Sequence, residues 1–208
     1  LFSRRPHPYY IYSYDYRRNS AGVRVLHMLC DALNRSGQEA YVVARNISPK
    51  LITPMLSDEV IEYHKAQGIK PVMVYPEVID GNPLNGETVV RYLLNKPGFL
   101  KGTGEYEESD LLFAFKESLL QPGMPLDHVL YLPAIDLEVF KLSDDPSKRE
   151  PGLVCFYQGR EGAAHIDQAL LPEGAIEITP NFPATWEELA DIFQRCEYFY
   201  CGEASALA

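Results

Sequence analysis

The fold is decided by residues 8–44, PYYIYSYDYRRNSAGVRVLHMLCDALNRSGQEAYVVA. Five of the first seven residues are aromatic or β-branched, which is typical of a strand, and residues 15–22 form a polar, glycine-ended loop. Apolar residues then recur on one helical face, at Val23, Leu26, Cys30 and Leu33. Gly37 supplies a helix stop, and residues 39–44 form a second short apolar run. This order predicts a strand–helix–strand unit and therefore a parallel sheet.

The same alternation continues along the chain. We predict a helix at 57–67, a strand at 71–78, a helix at 86–95, and strands at 110–115 and 128–133. Residues 141–152, KLSDDPSKREPG, are charged and interrupted by proline, which is typical of a domain boundary. Afterwards the pattern starts again, with strands at 152–159, 174–180 and 197–202 and an amphipathic helix at 184–196.

These patterns predict an α/β protein of two Rossmann-like domains with parallel sheets. We expect an N-terminal domain at 1–142, a linker at 143–151 and the start of a second domain at 152–208. A complete doubly wound domain needs on the order of 100 residues, so we expect the second domain to be incomplete and the chain to be part of a longer protein.

Composition excludes several classes of function. A net charge of −10 argues against a general nucleic-acid binder, because phosphate neutralisation needs a positive surface. The chain has no secretory signal and no apolar run of about 18 residues, so a cytoplasmic location without an integral membrane segment is expected. Its four cysteines show no CxxC spacing and are interpreted as reduced core thiols. No cofactor and no metal are predicted.

Two segments of the first domain follow predicted strands, where parallel sheets bind ligands. Arg17, Arg18 and Gly22 lie in the first loop, where the arginines could meet a diphosphate; the alternative is a solvated loop that caps the helix. Glu77 is expected to face the cleft, where its carboxylate could, with Asn82, bind the hydroxyls of an acceptor sugar or could act as a base; the alternative is an ordinary strand end with a turn. Asp110 and His128 begin strands, so structural roles are expected for them.

Two further segments follow strands of the second domain. Arg160 ends the first strand and is placed to neutralise phosphate, although a surface arginine is the alternative. Residues 202–207 could offer helix amides to phosphate and a carboxylate to ribose or sugar hydroxyls. The alternative is that they simply begin a helix. The candidate donor-binding residues among them are Glu203, Ser205, Ala206 and Leu207.

Three segments in this order resemble the retaining GT-B glycosyltransferases of glycosyltransferase group 1. Residues 20–43 resemble the family's first glycine-marked loop and helix, residues 131–141 (YLPAIDLEVFK) its interdomain signature, and residues 156–160 (FYQGR) the opening of its donor domain. Two features depart from the family: Ala134 replaces the signature's asparagine-glycine, and no lysine follows Arg160 to help grip the diphosphate.

The resemblance implies transfer of a sugar from a nucleoside-diphosphate sugar to a hydroxyl of a glycan or lipid-linked acceptor, in cell-surface polysaccharide biosynthesis. It also implies retention of configuration, Glu203 as the first of an acidic pair near the donor sugar, and peripheral membrane association where the acceptor is lipid-linked. The absence of an Asp-x-Asp motif agrees with a metal-independent mechanism.

Two alternatives stay open at this point. A sugar-nucleotide epimerase could use the same architecture without an acceptor. A non-catalytic sugar-nucleotide-binding or scaffolding domain would fit a donor half that is never completed. A single flavodoxin-like or response-regulator domain is disfavoured by the linker at 143–151 and the new strand after it.

Overall fold

The computed structural model of the chain describes residues 7–141, 143, 145–159 and 166–202. The chain divides into two compact units, one of residues 1–18 and 22–133 and the other of residues 19–21 and 134–208. Each unit contains a parallel sheet, which confirms the predicted α/β class.

The first unit is built on a five-stranded sheet in the order β2-β1-β3-β4-β5. Its strands are β1 Tyr9–Tyr12, β2 Ala40–Val43, β3 Val72–Pro76, β4 Thr88–Leu93 and β5 Leu111–Ala114. Every neighbouring pair is parallel, so all carboxyl ends lie along one edge. The strand–helix–strand unit predicted from residues 8–44 is thereby confirmed.

Two helices connect the first three strands. Helix α1, Ala21–Arg35, begins two residues before the predicted start and buries its apolar face, which includes Val23, Val25, Leu26, Leu29 and Cys30. Helix α2, Asp58–Ala66, begins where the Ser57 side chain accepts a hydrogen bond from the Val60 amide. Acidic residues in the first turn of α2 complement the helix dipole.

A buried polar chain attaches α2 to the amino ends of β1 and β2. The Tyr10 hydroxyl lies 2.6 Å from His64 Nδ1, and His64 Nε2 lies 3.1 Å from the Glu39 carboxylate. Tyr41 donates a 2.7 Å hydrogen bond to the same carboxylate. Burial, assisted by the charge of Glu39, raises the pKa of Tyr10 to about 12, so its hydroxyl keeps its proton. These bonds satisfy polar groups that would be costly to bury alone.

Two predicted elements are wrong. Residues 86–95 contain strand β4, Thr88–Leu93, rather than a helix, because the β-branched residues Thr88, Val89 and Val90 favour extended backbone. Residues 128–133 do not form a regular strand: His128 ends a short 3-10 helix, and Val129 makes only an isolated parallel bridge to Ala114.

The connections 77–87 and 94–110, described throughout, contain no helix, and one buried side chain fastens both of them. Arg91 on β4 is 1% exposed. Its Nε donates a 2.7 Å hydrogen bond to Asp110, and its Nη atoms donate to the carbonyls of Ile79 and Gly81. The guanidinium also lies 5.0 Å from the ring centre of Tyr75. Asp110 therefore has the structural role expected from the sequence.

The second unit has a three-stranded parallel sheet in the order β7-β6-β8. Its elements are β6 Glu150–Tyr157, β7 Ile176–Glu177, α3 Trp186–Arg195 and β8 Cys196–Cys201. Thr185 begins α3 with a capping box to Glu188. The core of this unit contains Cys155, Ile178, Leu189, Ile192 and Cys196.

Two boundaries differ from those predicted. The compact units divide between Pro133 and Ala134, ahead of the charged linker, because Phe140 packs against Trp186 and Phe193 of the second unit. Strand β6 begins at Glu150, inside the segment expected to be linker. Three of the four free cysteines are buried as expected, and Cys201 is exposed.

Replacing Arg91 tests how strongly the first unit depends on its buried ion pair. Arg91→Met leaves the Asp110 carboxylate buried without its partner, so we expect the free energy of unfolding to fall by about 3–5 kcal/mol. The matched control is Arg195→Met, which breaks a 2.7 Å ion pair to Glu150 whose side chains are 39% and 52% exposed. That control should cost much less, because solvent screens an exposed ion pair. Urea titration followed by circular dichroism measures both, and equal losses would contradict the prediction.

Candidate functional site

The strand order of the first unit creates a switch point between β1 and β3. The connection that leaves β1 runs to β2 on one side, whereas the connection that leaves β3 runs to β4 on the other side. The two segments therefore diverge beyond the carboxyl ends of β1 and β3, which is where open parallel sheets bind ligands. The first-domain segments selected from the sequence, 15–22 and 77–82, follow β1 and β3 directly in the chain, so residues 15–18 and 77–82 of the first unit leave the sheet at this point.

The loop after β1 is held to the loop after β2. The Asp15 carboxylate accepts hydrogen bonds of 2.7 and 3.1 Å from the amides of Arg45 and Asn46. The Tyr16 amide donates a 2.8 Å bond to the Asn46 carbonyl. The two amide bonds hold the pKa of Asp15 below its ordinary value. Arg17 is exposed and Arg18 half-buried within this anchored loop.

Helix α1 follows the loop directly. Its first turn contains no acidic side chain, so its partial positive charge is not offset from within the helix. A Cβ added at Gly22 would lie 3.5 Å from the Leu94 side chain, an ordinary contact distance. The packing of the chain itself therefore does not require glycine at this position, and close approach of a ligand there stays a prediction.

Arg24 and His27 lie beneath the loop and were missed by the sequence analysis. His27 is fully buried, donates from Nε2 to the Tyr14 carbonyl at 3.1 Å, and contacts the Tyr16 ring. Burial lowers the pKa of both Arg24 and His27. Arg24 and His27 are three residues apart, so they share one helix face, beside the apolar residues. That spacing was the sequence signal that could have identified them.

Glu77, the first residue after β3, turns its carboxylate into the protein. The residue is 3% exposed and accepts a 2.9 Å hydrogen bond from the Leu94 amide at the end of β4. Burial raises the pKa of Glu77, while the backbone amides of Leu94, Glu77 and Asn95 oppose that rise. The side chain thus joins two strand ends rather than facing open solvent, and acceptor binding by Glu77 stays a prediction.

Asn82 holds the turn that precedes β4. Its Oδ1 accepts hydrogen bonds from the Tyr75 hydroxyl at 2.9 Å and from the Gly86 amide at 3.1 Å. Its Nδ2 donates to the Gly86 carbonyl at 2.7 Å. Both acceptor positions and one donor are therefore used inside the turn, which leaves one N–H for an acceptor molecule.

The second unit repeats the arrangement around its first strand. Strand β6 lies between β7 and β8, and Tyr157 pairs with Cys201 at the carboxyl ends of β6 and β8. The Gly202 amide donates a 2.9 Å hydrogen bond to the Tyr157 carbonyl. The two donor-side segments selected from the sequence therefore start at neighbouring strand ends.

The side chain of Gln158, directly after β6, bonds to the backbone of Ile166. Gln158 accepts a 2.9 Å hydrogen bond from the Ile166 amide and donates a 3.0 Å bond to the Ile166 carbonyl. Arg160, and the other predicted donor-binding residues of this unit, lie outside the described residues: Glu203, Ser205, Ala206 and Leu207.

Two features are absent from the part of the chain that the structure describes. No group of three or more histidine, cysteine, aspartate or glutamate side chains there is arranged to hold a metal ion. Likewise, none of the described helices is both long and apolar enough to cross a bilayer.

Comparisons of the chain with protein-family models, with curated proteins and with solved structures give no significant match.

The buried carboxyl group of Glu77 predicts a pH-dependent stability. Its folded-state pKa is raised above the ordinary 4.5, so its contribution to stability is complete below the unfolded pKa and is lost as pH rises through the folded pKa. Glu77→Gln stays neutral and keeps an oxygen for the Leu94 amide. We expect its stability relative to the wild type to increase as the pH rises above the ordinary glutamate pKa of 4.5.

Urea titrations across the pH range above 4.5 measure the difference. Asp15→Asn is the matched control, because the pKa of Asp15 lies below its ordinary 3.8 and the group stays ionised throughout the range. Its difference from the wild type should therefore be constant. A constant difference for Glu77→Gln as well would contradict the prediction.

Proposed function

We propose that the chain belongs to a nucleotide-sugar-dependent glycosyltransferase of the two-domain GT-B kind. In this proposal the enzyme transfers a sugar from a nucleoside-diphosphate sugar to a hydroxyl of a glycan or lipid-linked acceptor, during cell-surface polysaccharide assembly. The observation that carries the proposal is the repeated strand order: in each unit the first strand lies between the second and the third.

That topology supports the proposal because the first unit has a switch point between β1 and β3, and the order β7-β6-β8 would give the second unit one between β6 and β8 if a further strand pairs with β8. The loop after β1 contains Arg17 and Arg18, and the loop after β6 contains Arg160. A two-domain transferase needs a site for the acceptor and a site for the donor, and two switch points would supply one place for each. The GT-B resemblance assigns the acceptor to the first unit and the donor to the second.

The chemistry then rests on stabilising a leaving diphosphate. As the bond between sugar and diphosphate breaks, positive charge develops on the sugar and negative charge on the leaving group. Fixed arginines and the amides at helix amino-termini stabilise that negative charge when they are placed before the reaction starts. Arg160 is proposed as the principal donor-side cation, with Arg17 and Arg18 as further cations near the diphosphate. Glu203 is proposed to lie near the donor sugar.

The acceptor side is proposed to lie at the β3 carboxyl end. There Glu77 and Asn82 already bond to neighbouring backbone, and these bonds order the connection 77–87. In this proposal the two side chains hold the shape of the acceptor surface, and the remaining N–H of Asn82 is available to an acceptor hydroxyl.

A thermal-shift experiment on the protein tests donor binding. Nucleoside diphosphates and their sugars are added to the wild type, to Arg160→Ala, and to Arg149→Ala as a control with the same change of charge. We expect at least one diphosphate to raise the melting temperature of the wild type and of Arg149→Ala, because a ligand that binds only the folded state stabilises it. Arg160→Ala should lose most of that increase.

Product analysis separates the alternatives. Incubation of the stabilising sugar nucleotide with and without an oligosaccharide or lipid-linked acceptor should give a glycosidic product only with acceptor. Release or inversion of the sugar without acceptor would indicate the epimerase instead, and binding without turnover would indicate a non-catalytic module. A thermal shift that is unchanged in Arg160→Ala would remove this residue from the donor site.

A further inference from the structure

The connection after β4 carries two adjacent, exposed apolar side chains. We call residues 96–101, KPGFLK, the tip loop. Phe99 is 69% exposed and Leu100 is 52% exposed. Single exposed apolar residues are common on proteins, but an aromatic residue and a leucine side by side at the end of a loop form a compact apolar projection.

The tip loop is turned by its own sequence. The Phe99 amide donates a 3.1 Å hydrogen bond to the Lys96 carbonyl, which closes a four-residue turn. Pro97 occupies the second position, and Gly98 follows with a φ of 73°. This is the pattern of a type II turn, in which proline sets φ in advance and glycine adopts the left-handed conformation without strain. The apolar pair therefore begins at a defined turn.

The base of the loop is packed against the connection after β3. The amide and hydroxyl of Thr103 both lie within hydrogen-bond distance of Asp80 Oδ1, at 2.8 and 3.1 Å. At Gly102 an added Cβ would be crowded 3.0 Å from the Glu77 carbonyl oxygen, and the φ of 80° would strain any larger residue there. Because its base is anchored in this way, the loop presents Phe99 and Leu100 at a small conformational cost.

Positive charge flanks the apolar pair. Lys96 and Lys101 are both exposed, and neither forms an ion pair with another described residue. Residues 94–104 contain no acidic residue, although the whole chain has a net charge of −10. At physiological ionic strength charges are screened beyond about 8 Å, so the electrostatic interaction of the tip loop with another surface depends on the charges nearest to that surface. For the tip loop that charge is positive.

We propose that the tip loop docks the protein on a bilayer that contains anionic lipids. Phe99 and Leu100 enter the boundary between headgroups and acyl chains, while the two lysines contact the headgroup phosphates. Apolar insertion combined with basic residues is the ordinary basis of reversible interfacial binding. The acidic residues Glu105, Glu107 and Glu108 follow the anchored base, as the chain returns towards the amino end of β5.

Docking at this point would give the protein a defined orientation. The tip loop begins at the carboxyl end of β4, on the same sheet edge as the switch point between β1 and β3. That edge would then face the lipid surface. Docking depends on this surface alone, so it is independent of sugar transfer.

Vesicle sedimentation tests the proposal on the whole protein. The probes are vesicles of phosphatidylcholine alone and of phosphatidylcholine with phosphatidylglycerol. We expect binding to the anionic vesicles, reduced at least tenfold in the double variant Phe99→Ser/Leu100→Ser. Lys96→Gln/Lys101→Gln should weaken binding by about fivefold for each lysine.

Matched controls separate the tip loop from general surface properties. Leu126→Ser removes an apolar residue that is 64% exposed and lies beside Asp127. Lys65→Gln/Lys70→Gln makes the same change of charge in residues whose ammonium groups already pair with Glu62 and Glu87. Both controls should bind as the wild type does.

Tryptophan fluorescence locates the contact. The wild type has one tryptophan, Trp186, in the second unit, so it serves as the blank for Phe99→Trp. Anionic vesicles should shift the emission of Phe99→Trp to shorter wavelength relative to that blank. The proposal is overturned if neither vesicle is bound, if both are bound equally well, or if the Phe99→Ser/Leu100→Ser variant binds like the wild type.

Discussion

A buried guanidinium fastens the part of the first unit that has no helices. In a doubly wound fold helices usually cover the sheet faces, yet the connections 77–87 and 94–110 contain none. Arg91 reaches both, through the carbonyls of Ile79 and Gly81 and through the carboxylate of Asp110. A buried charge is tolerated only when it is fully paired, so both connections must hold their positions around it. The Arg91 side chain thereby holds two connections that helix packing would otherwise hold.

These Arg91 contacts position the loops at the carboxyl edge of the first sheet. Arg91 fixes the connection after β3, and Asp80 of that connection then fixes Thr103 at the base of the tip loop. Glu77 joins the ends of β3 and β4 from the same side. The proposed acceptor surface and the proposed membrane contact therefore share one rigid support. In the second unit, the Gln158 side chain bonds to the backbone of Ile166.

Local patterns predicted much of this fold. The change from an aromatic run at residues 8–14 to a helical period from Val23 predicted β1, α1 and β2. The charged segment at 141–152 indicated that a new unit follows. Non-local contacts account for the errors. Within residues 86–95, the charged residue Arg91 favoured the prediction of an exposed helix. Its burial depends on the ion pair with Asp110, which is 19 residues away and cannot be predicted from a local pattern. The inward turn of Glu77 likewise depends on the Leu94 amide of the next strand. The loops that follow β1 and β3 could be located from the sequence, but the direction of their side chains could not.

The most direct test of the central claim is peptide-resolved hydrogen exchange on Arg91→Lys. Lysine keeps the positive charge beside Asp110, but a single ammonium group cannot also reach the two carbonyls that the guanidinium fork holds. The account predicts faster exchange in residues 77–87 and 94–110, with the amides of β1 and β2 unchanged. Unchanged exchange in both connections, or an equal increase across the whole sheet, would contradict it.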